Sequence, residues 1–309
     1  MAYKEIFARI AGNTFVHERV TTGRIFRPLV ERFVAGETIE HGLSAVESLN
    51  NKGMAASLDF LGEEVHDEDA AASVREEYLF LLDVINKRGL AANISLKSTQ
   101  LGLGFNPDLC RENIATIVER ARDYGNFVRI DMEGSGYTSD ILSLFYDLHN
   151  DYDNLGVVMQ AYLYRTGDDT RELVEQQARI RLCKGAYSEP SIVAFPKKKK
   201  VDENYRHLME YLLEYANYPA IATHDEALIS HGQEFAAEHG ITPDKFEFQM
   251  LYGVRRDIQE QIVENGYNLR IYVPYGKEWY PYLMRRIGER PANAFFILKN
   301  IMRESLHRE

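Results

Sequence analysis

Residues 90–132 read LAANISLKSTQLGLGFNPDLCRENIATIVERARDYGNFVRIDM. They open and close on short β-rich runs, LAANISLK (90–97) and NFVRIDM (126–132). Between the runs, PDLCRENIATIVERARDYG carries a helical pattern that stops at a glycine. Strand, helix and strand in that order make a βαβ unit, whose strands are parallel. The pattern repeats on both sides. Upstream, MAASLDFLG (54–62) is a strand, and DEDAAASVREEYLFLLDVINKRG is an amphipathic helix whose acidic start and basic end suit its dipole. Downstream, strands fall at LGVVMQAYLY (155–164), RIRLCKGAY (179–187), AIATH (220–224), FEFQMLY (246–252) and LRIYVPYG (269–276). Helical stretches such as DENYRHLMEYLLEYAN and DEALISHGQEFAAEHG separate them. Eight strands alternating with helices over about 220 residues predict an α/β fold, a (βα)8 barrel. A doubly wound open sheet would carry a glycine fingerprint after its first strand. GLGF (102–105) lacks the third glycine and reads as a turn.

RPLVERFVAG and ETIEHGLSAVESLNNKG precede the first strand and read as helices. The expected organisation is one domain, with 1–53 a helical segment packed on the barrel and 54–309 the barrel with its C-terminal helices. Hydrophobic residues make up 45% of the 309, enough for a sizeable core. A net charge of −11 argues against sequence-independent nucleic-acid binding, which needs a basic surface. Cys110 and Cys183 are the two cysteines, with no partner at metal-ligand spacing, and they suit a reducing compartment. The start, MAYKEIFARIAGNTF, lacks a signal peptide's apolar core, and no apolar run reaches membrane-spanning length. The expected location is cytoplasmic. KKKK (197–200) reads as a solvated βα loop leading into the next helix, in preference to a nuclear signal or an anionic-membrane patch.

In a barrel of this kind the reactive groups gather at the C-terminal ends of the strands. Lys97 closes the second strand, and Asp131 and Glu133 close the third. Gln160 lies late in the fourth, and Arg181 and Lys184 belong to the fifth. Thr223, His224 and Asp225 finish the sixth, Gln249 lies in the seventh and Tyr272 in the eighth. Polar tips on seven strands point to an active site. A metal does not fit, because lysine and arginine on the neighbouring strands repel a cation. Lys97 or Lys184 could form a Schiff base, as in a barrel aldolase. Lys184 also sits in KGAY, where small residues leave backbone N–H groups open to an anionic or heteroaromatic cofactor.

RLCKGAYSEP, ATHDE, FEFQMLYG, RIYVPYG and YLMRRIGER, in this order, resemble the proline dehydrogenase family. LGEE, ISLKSTQLG, RIDMEGS and VMQAYLYR extend the likeness upstream. The resemblance implies a distorted (βα)8 barrel with its last helix over the mouth, non-covalent FAD, and oxidation of L-proline to Δ1-pyrroline-5-carboxylate. It implies electrons passed to a membrane quinone by a protein peripheral on the inner membrane face, in a single-function form. A separate pyrroline-5-carboxylate dehydrogenase then takes the product. Carried over by position, Lys97, Arg285 and Arg286 bind the proline carboxylate, and Tyr272 and Tyr282 wall its ring. Asp131 and Arg181 act in the reaction, Arg181 near the flavin's reactive edge. Met132, Gln160, Lys184, Gly185, Ala186, Thr223 and His224 contact FAD, and Glu63 pairs with the first clamp arginine as a gate. Asp131 has a second reading, as the group that orients Lys97 or Tyr187.

The arginine pair lies in PYLMRRIGER (281–290), just after the last strand. Adjacent helical residues point about 100° apart, so only a helix laid across the barrel mouth aims both at one target. Glu289 then serves the cofactor or the scaffold, and Arg290 is solvated.

Overall fold

The computed structural model describes residues 27–62 and 65–288. Eight strands form one closed, parallel barrel in chain order: β1 (Ala55–Phe60), β2 (Ala92–Leu96), β3 (Val128–Ile130), β4 (Leu155–Gln160), β5 (Arg179–Cys183), β6 (Ala220–Ala222), β7 (Glu247–Leu251) and β8 (Leu269–Tyr275). β8 closes on β1 with Ser57 opposite Tyr272 and Asp59 opposite Pro274. The open-sheet alternative is therefore excluded, and all eight expected strands are present.

Local signals explain the helices. Asp67 caps the helix Glu68–Arg88 by accepting from the Ala70 N–H, and Gly89 ends it in the left-handed region at φ 61°. Thr38 caps the helix Ile39–Asn50, which lies on β1 and β8. There Gly42 lets the helix approach, since a Cβ would stand 3.1 Å from the Tyr275 ring and 3.2 Å from Leu58. Of the N-terminal segment, residues 1–26 lie outside the described residues. Lys198, Lys199 and Lys200 open the helix Lys198–Tyr215, exposed and paired with Asp202 or Glu203. No described helix is long and apolar enough to cross a membrane.

β4 and β5 stop short of their expected ends at 164 and 187. Pairing persists briefly, from Ala161 N to Cys183 O (2.8 Å) and from Tyr162 N to Lys184 O (3.0 Å). Gly185 then turns the chain away at φ 102°. A Cβ there would fall 2.2 Å from the Tyr162 ring, so glycine is required on both counts.

Side chains alternate along each strand between the helices and the lumen. Leu58, Ile94, Ile130, Phe248 and Ile271 are buried on the helix side. The lumen is polar, where aliphatic layers are usual in such barrels. At its floor Arg270 makes a two-pronged contact with Glu247 (2.8 and 3.0 Å) and reaches Ala56 O (3.0 Å). Arg129 donates to Arg179 O (2.6 Å) and Val157 O (3.3 Å).

The floor pair has a testable weight. Arg270→Met would strand a buried carboxylate and should cost about 3–5 kcal/mol in urea unfolding. Arg270→Met with Glu247→Leu should recover most of that loss. Burial pushes the Glu247 carboxyl up, but Arg270 outweighs it and holds the group below its ordinary value. The stabilisation is thus complete above the ordinary carboxylate range and fades as pH falls through the lowered value.

Candidate active site

The upper lumen is organised around Asp131, the first residue after β3. Its Oδ1 accepts from Ser95 Oγ (2.6 Å) and Arg181 Nη1 (2.7 Å), and its Oδ2 accepts from Tyr272 OH (2.7 Å). One carboxylate thereby ties β2, β5 and β8 to the end of β3. Arg181 also lies over the Tyr272 ring, 5.3 Å from its centroid, and donates to Ser95 Oγ (3.1 Å). The hydrogen bonds of Asp131 go to Ser95, Arg181 and Tyr272, and toward Lys97 and Tyr187 it acts electrostatically.

The hydrogen-bond partner of Lys97 is Asp59, on the inward face of β1. Burial presses the Lys97 ammonium down, but Asp59 and Asp131 outweigh it and hold the group above the ordinary lysine value. A Schiff-base lysine needs the opposite, a depressed value. Lys184 is likewise engaged, with Asp202 (2.6 Å) and Asp225 (2.8 Å). Both candidate lysines of the aldolase reading are thus held by carboxylates.

Asp59 was not among the sequence candidates. The available signal was parity: in AASLDF the polar residues Ser57 and Asp59 stand two apart, on one face of an otherwise apolar strand. Glu133, just beyond Asp131, holds Thr99 through its N–H (3.1 Å) and Oγ1 (2.6 Å), and burial raises its carboxyl.

The helix Trp279–Gly288 follows β8, yet its arginines reach residues at the end of β5, on another side of the ring. Arg285 lies over Tyr187, 6.0 Å from the ring centroid, and Tyr187 feels Lys97 as well as Arg285. Arg286 stacks on Tyr282 at 5.4 Å and acts electrostatically on Cys183. The helix therefore crosses the barrel mouth, with Tyr282 buried beneath it. Lys97, Tyr187, Arg285 and the Asp131 cluster share this mouth. Glu63, Glu289 and Arg290 lie outside the described residues.

The remaining candidates form an arc along the ends of β3 to β6. Gln160 Nε2 donates to Met132 O and Glu133 O (3.4 Å each), while its Oε1 is buried with no hydrogen-bond partner. Lys184, Gly185 and Ala186 follow β5, and Thr223 and His224 follow β6. Thr223 Oγ1 accepts from Asp225 N (3.1 Å), and His224 Nε2 accepts from Leu251 N (2.8 Å). No cluster of metal-ligating side chains occurs among the described residues.

Residues 42–299 match the family model described as proline dehydrogenase. Proline dehydrogenase 1 of Bacillus subtilis is 41% identical over 273 residues, 88% of this chain and 90% of that protein. Proline dehydrogenase of Deinococcus radiodurans is 40% identical over 280 residues, 89% of this chain and 90% of that one. Among solved structures, proline utilization A from Bdellovibrio bacteriovorus inactivated by N-propargylglycine superposes with a TM-score of 0.80 at 26% identity, over 85% of this chain. This chain spans 32% of that longer protein. A closed barrel with a basic and aromatic mouth, a matching family model and close relatives covered almost end to end agree: the chain belongs to the proline dehydrogenase family, and its reaction is the oxidation of proline.

Proposed function

We propose that the chain oxidises L-proline to Δ1-pyrroline-5-carboxylate with a non-covalently bound FAD. The observation that carries this reading is the convergence of Lys97, Arg181 and Tyr272 beneath a helix that brings Arg285 and Arg286 across the mouth. The residues expected to hold the cofactor fit it on two counts. The buried Gln160 Oε1 and Arg181 Nε both lack hydrogen-bond partners, leaving an acceptor and a donor for a heteroaromatic ring. Gly185 brings bare backbone to the same arc, beside Lys184 and Ala186. When bound, the flavin supplies the acceptor for the hydride.

The chain's own residues do the rest. Lys97, Arg285 and Arg286 bind the proline carboxylate, for which guanidinium forks and an ammonium are suited. Tyr272 and Tyr282 wall the ring and present one face of it. The Tyr272 hydroxyl is committed to Asp131, which fixes the phenol and disfavours a ring bearing an extra hydroxyl. Asp131 acts by holding Arg181 and Tyr272 in place, since three donors already occupy its oxygens. Arg181 would lend positive charge to the reacting part of a bound flavin. Met132, Gln160, Lys184, Gly185, Ala186, Thr223 and His224 hold the cofactor, and Glu63 gates the mouth. In its neutral form His224 carries its proton on Nδ1, because Nε2 accepts from Leu251. Electrons then pass to a membrane quinone from a cytoplasmic protein peripheral on the bilayer, and a separate pyrroline-5-carboxylate dehydrogenase consumes the product.

The purified protein should be yellow, with a flavin spectrum that bleaches on anaerobic addition of L-proline. A folded, colourless preparation that FAD does not reconstitute would overturn the cofactor reading.

Arg286→Met should raise KM for proline by roughly 10- to 100-fold, equivalent to about 1.5–3 kcal/mol for a charge-assisted bond. FAD content should stay near that of the unmodified enzyme. An unchanged kcat/KM in steady-state assays would remove Arg286 from the clamp.

A further inference from the structure

Asp59 ends the inward-facing row of β1 and is 1% exposed. Its Oδ1 accepts from Lys97 Nζ. Its register neighbours are Ser95 on β2 and Pro274 on β8, one step above the level of Ser57 and Tyr272. The ionisable groups around the pair among the described residues are Asp131, Glu133, Arg181, Tyr187, Tyr272 and Arg285 toward the mouth, and Tyr78 and Tyr275 toward the helices. Neither the sequence pattern nor the resemblance gives Asp59 a role.

An ammonium in a closed lumen is pressed toward its neutral form, and nearby guanidinium groups add like charge. A neutral, mobile amine would be a poor ligand for a carboxylate. Asp131 does not take the ammonium, because Ser95, Arg181 and Tyr272 occupy it. Asp59 is in direct contact: burial pushes its carboxyl up, the Lys97 ammonium draws it back down, and the contact supplies the missing anion. We propose that Asp59 is a positioning residue for proline oxidation, whose carboxylate holds Lys97 in place and as an ammonium, ready for the substrate's carboxylate. This rests on the reading of Lys97 as a carboxylate ligand. The upper lumen then contains two balanced pairs, Asp59 with Lys97 and Asp131 with Arg181. Net attraction for an anion comes from Arg285 and Arg286, and Lys97 contributes a fixed donor.

The test uses cyclopentanecarboxylate, which has proline's ring size and carboxylate but no titratable nitrogen. Its inhibition constant is measured on FAD-loaded enzyme between about pH 6 and 10, a range that ends just below the ordinary lysine value, so Lys97 of the unmodified enzyme stays charged throughout. Removing the nearer anion leaves only Asp131 and Tyr187 to oppose burial, so Lys97 loses its proton earlier as pH rises. Asp59→Asn should therefore begin to weaken binding at least about one pH unit below the unmodified enzyme. Superposed profiles would overturn the proposal. Should Asp59→Asn not fold, the unmodified protein labelled with 15N-lysine answers the same question, the Lys97 signal being assigned by its loss in Lys97→Arg. Persistence of the ammonium past the titration of the exposed lysines supports the proposal, and earlier loss overturns it. Lys97→Met separates the two readings. If it leaves the inhibition constant unchanged, the carboxylate reading of Lys97 fails, and the 15N titration still decides whether Asp59 holds the ammonium.

Discussion

Charges enclosed in a barrel lumen must be met by counter-charges or backbone oxygens, because bulk water is not there to solvate them. That constraint shapes this molecule from floor to mouth. Closing eight parallel strands turns every second side chain inward. In this chain many of those residues are ionic where aliphatic layers would be cheaper. Asp131 shows the consequence most clearly. Its two oxygens take three donors, from β2, β5 and β8, and Arg181 in turn lies on the ring of Tyr272. No member of the cluster can move without leaving another unsatisfied, which is how a barrel holds catalytic groups still.

Floor and mouth meet the constraint differently. At the floor, Arg270 is saturated by Glu247 and Ala56 O, and Arg129 donates to two strand carbonyls. These contacts close the lumen and serve stability. One floor atom, Arg129 Nε, is left without a hydrogen-bond partner, and toward the mouth so are Asp59 Oδ2, Gln160 Oε1 and Arg181 Nε. A buried polar atom without a partner costs stability unless a ligand completes it.

Much of this was legible in the sequence. The alternation around residues 90–132 carries the barrel, because strand and helix periods differ and each glycine or proline falls at a boundary. Arg181, Asp131 and Tyr272 were legible as polar tips on separate strands. Their mutual hydrogen bonds were not, since contact across a barrel depends on register between strands far apart in sequence. Asp59 is the instructive omission. A single acid inside an apolar strand reads as a surface residue until parity is applied, and its partner Lys97 lies 38 residues on, on the neighbouring strand. The ends of β4 and β5 were overextended for a similar reason. Their residues remain strand-like in composition, and only the positive φ of Gly185 turns the chain.

The mouth helix supplies what the strands cannot. Strand residues project inward at fixed levels, so a ligand lying above the lumen needs a second layer of donors facing down. Consecutive arginines on a helix diverge by about 100°, which on a barrel-side helix would direct one of them to solvent. Across the mouth the same divergence is useful. Arg285 goes toward Tyr187 and Arg286 toward Tyr282, so the two guanidinium groups flank a space and do not crowd one point. Each lies on an aromatic ring that limits its freedom. The lumen below contains the pairs Asp59–Lys97 and Asp131–Arg181, and the helix above contributes two cations that lie on aromatic rings. On the proposed reading, an anionic group entering between the two layers would meet the Lys97 ammonium from one side and the two guanidinium groups from the other.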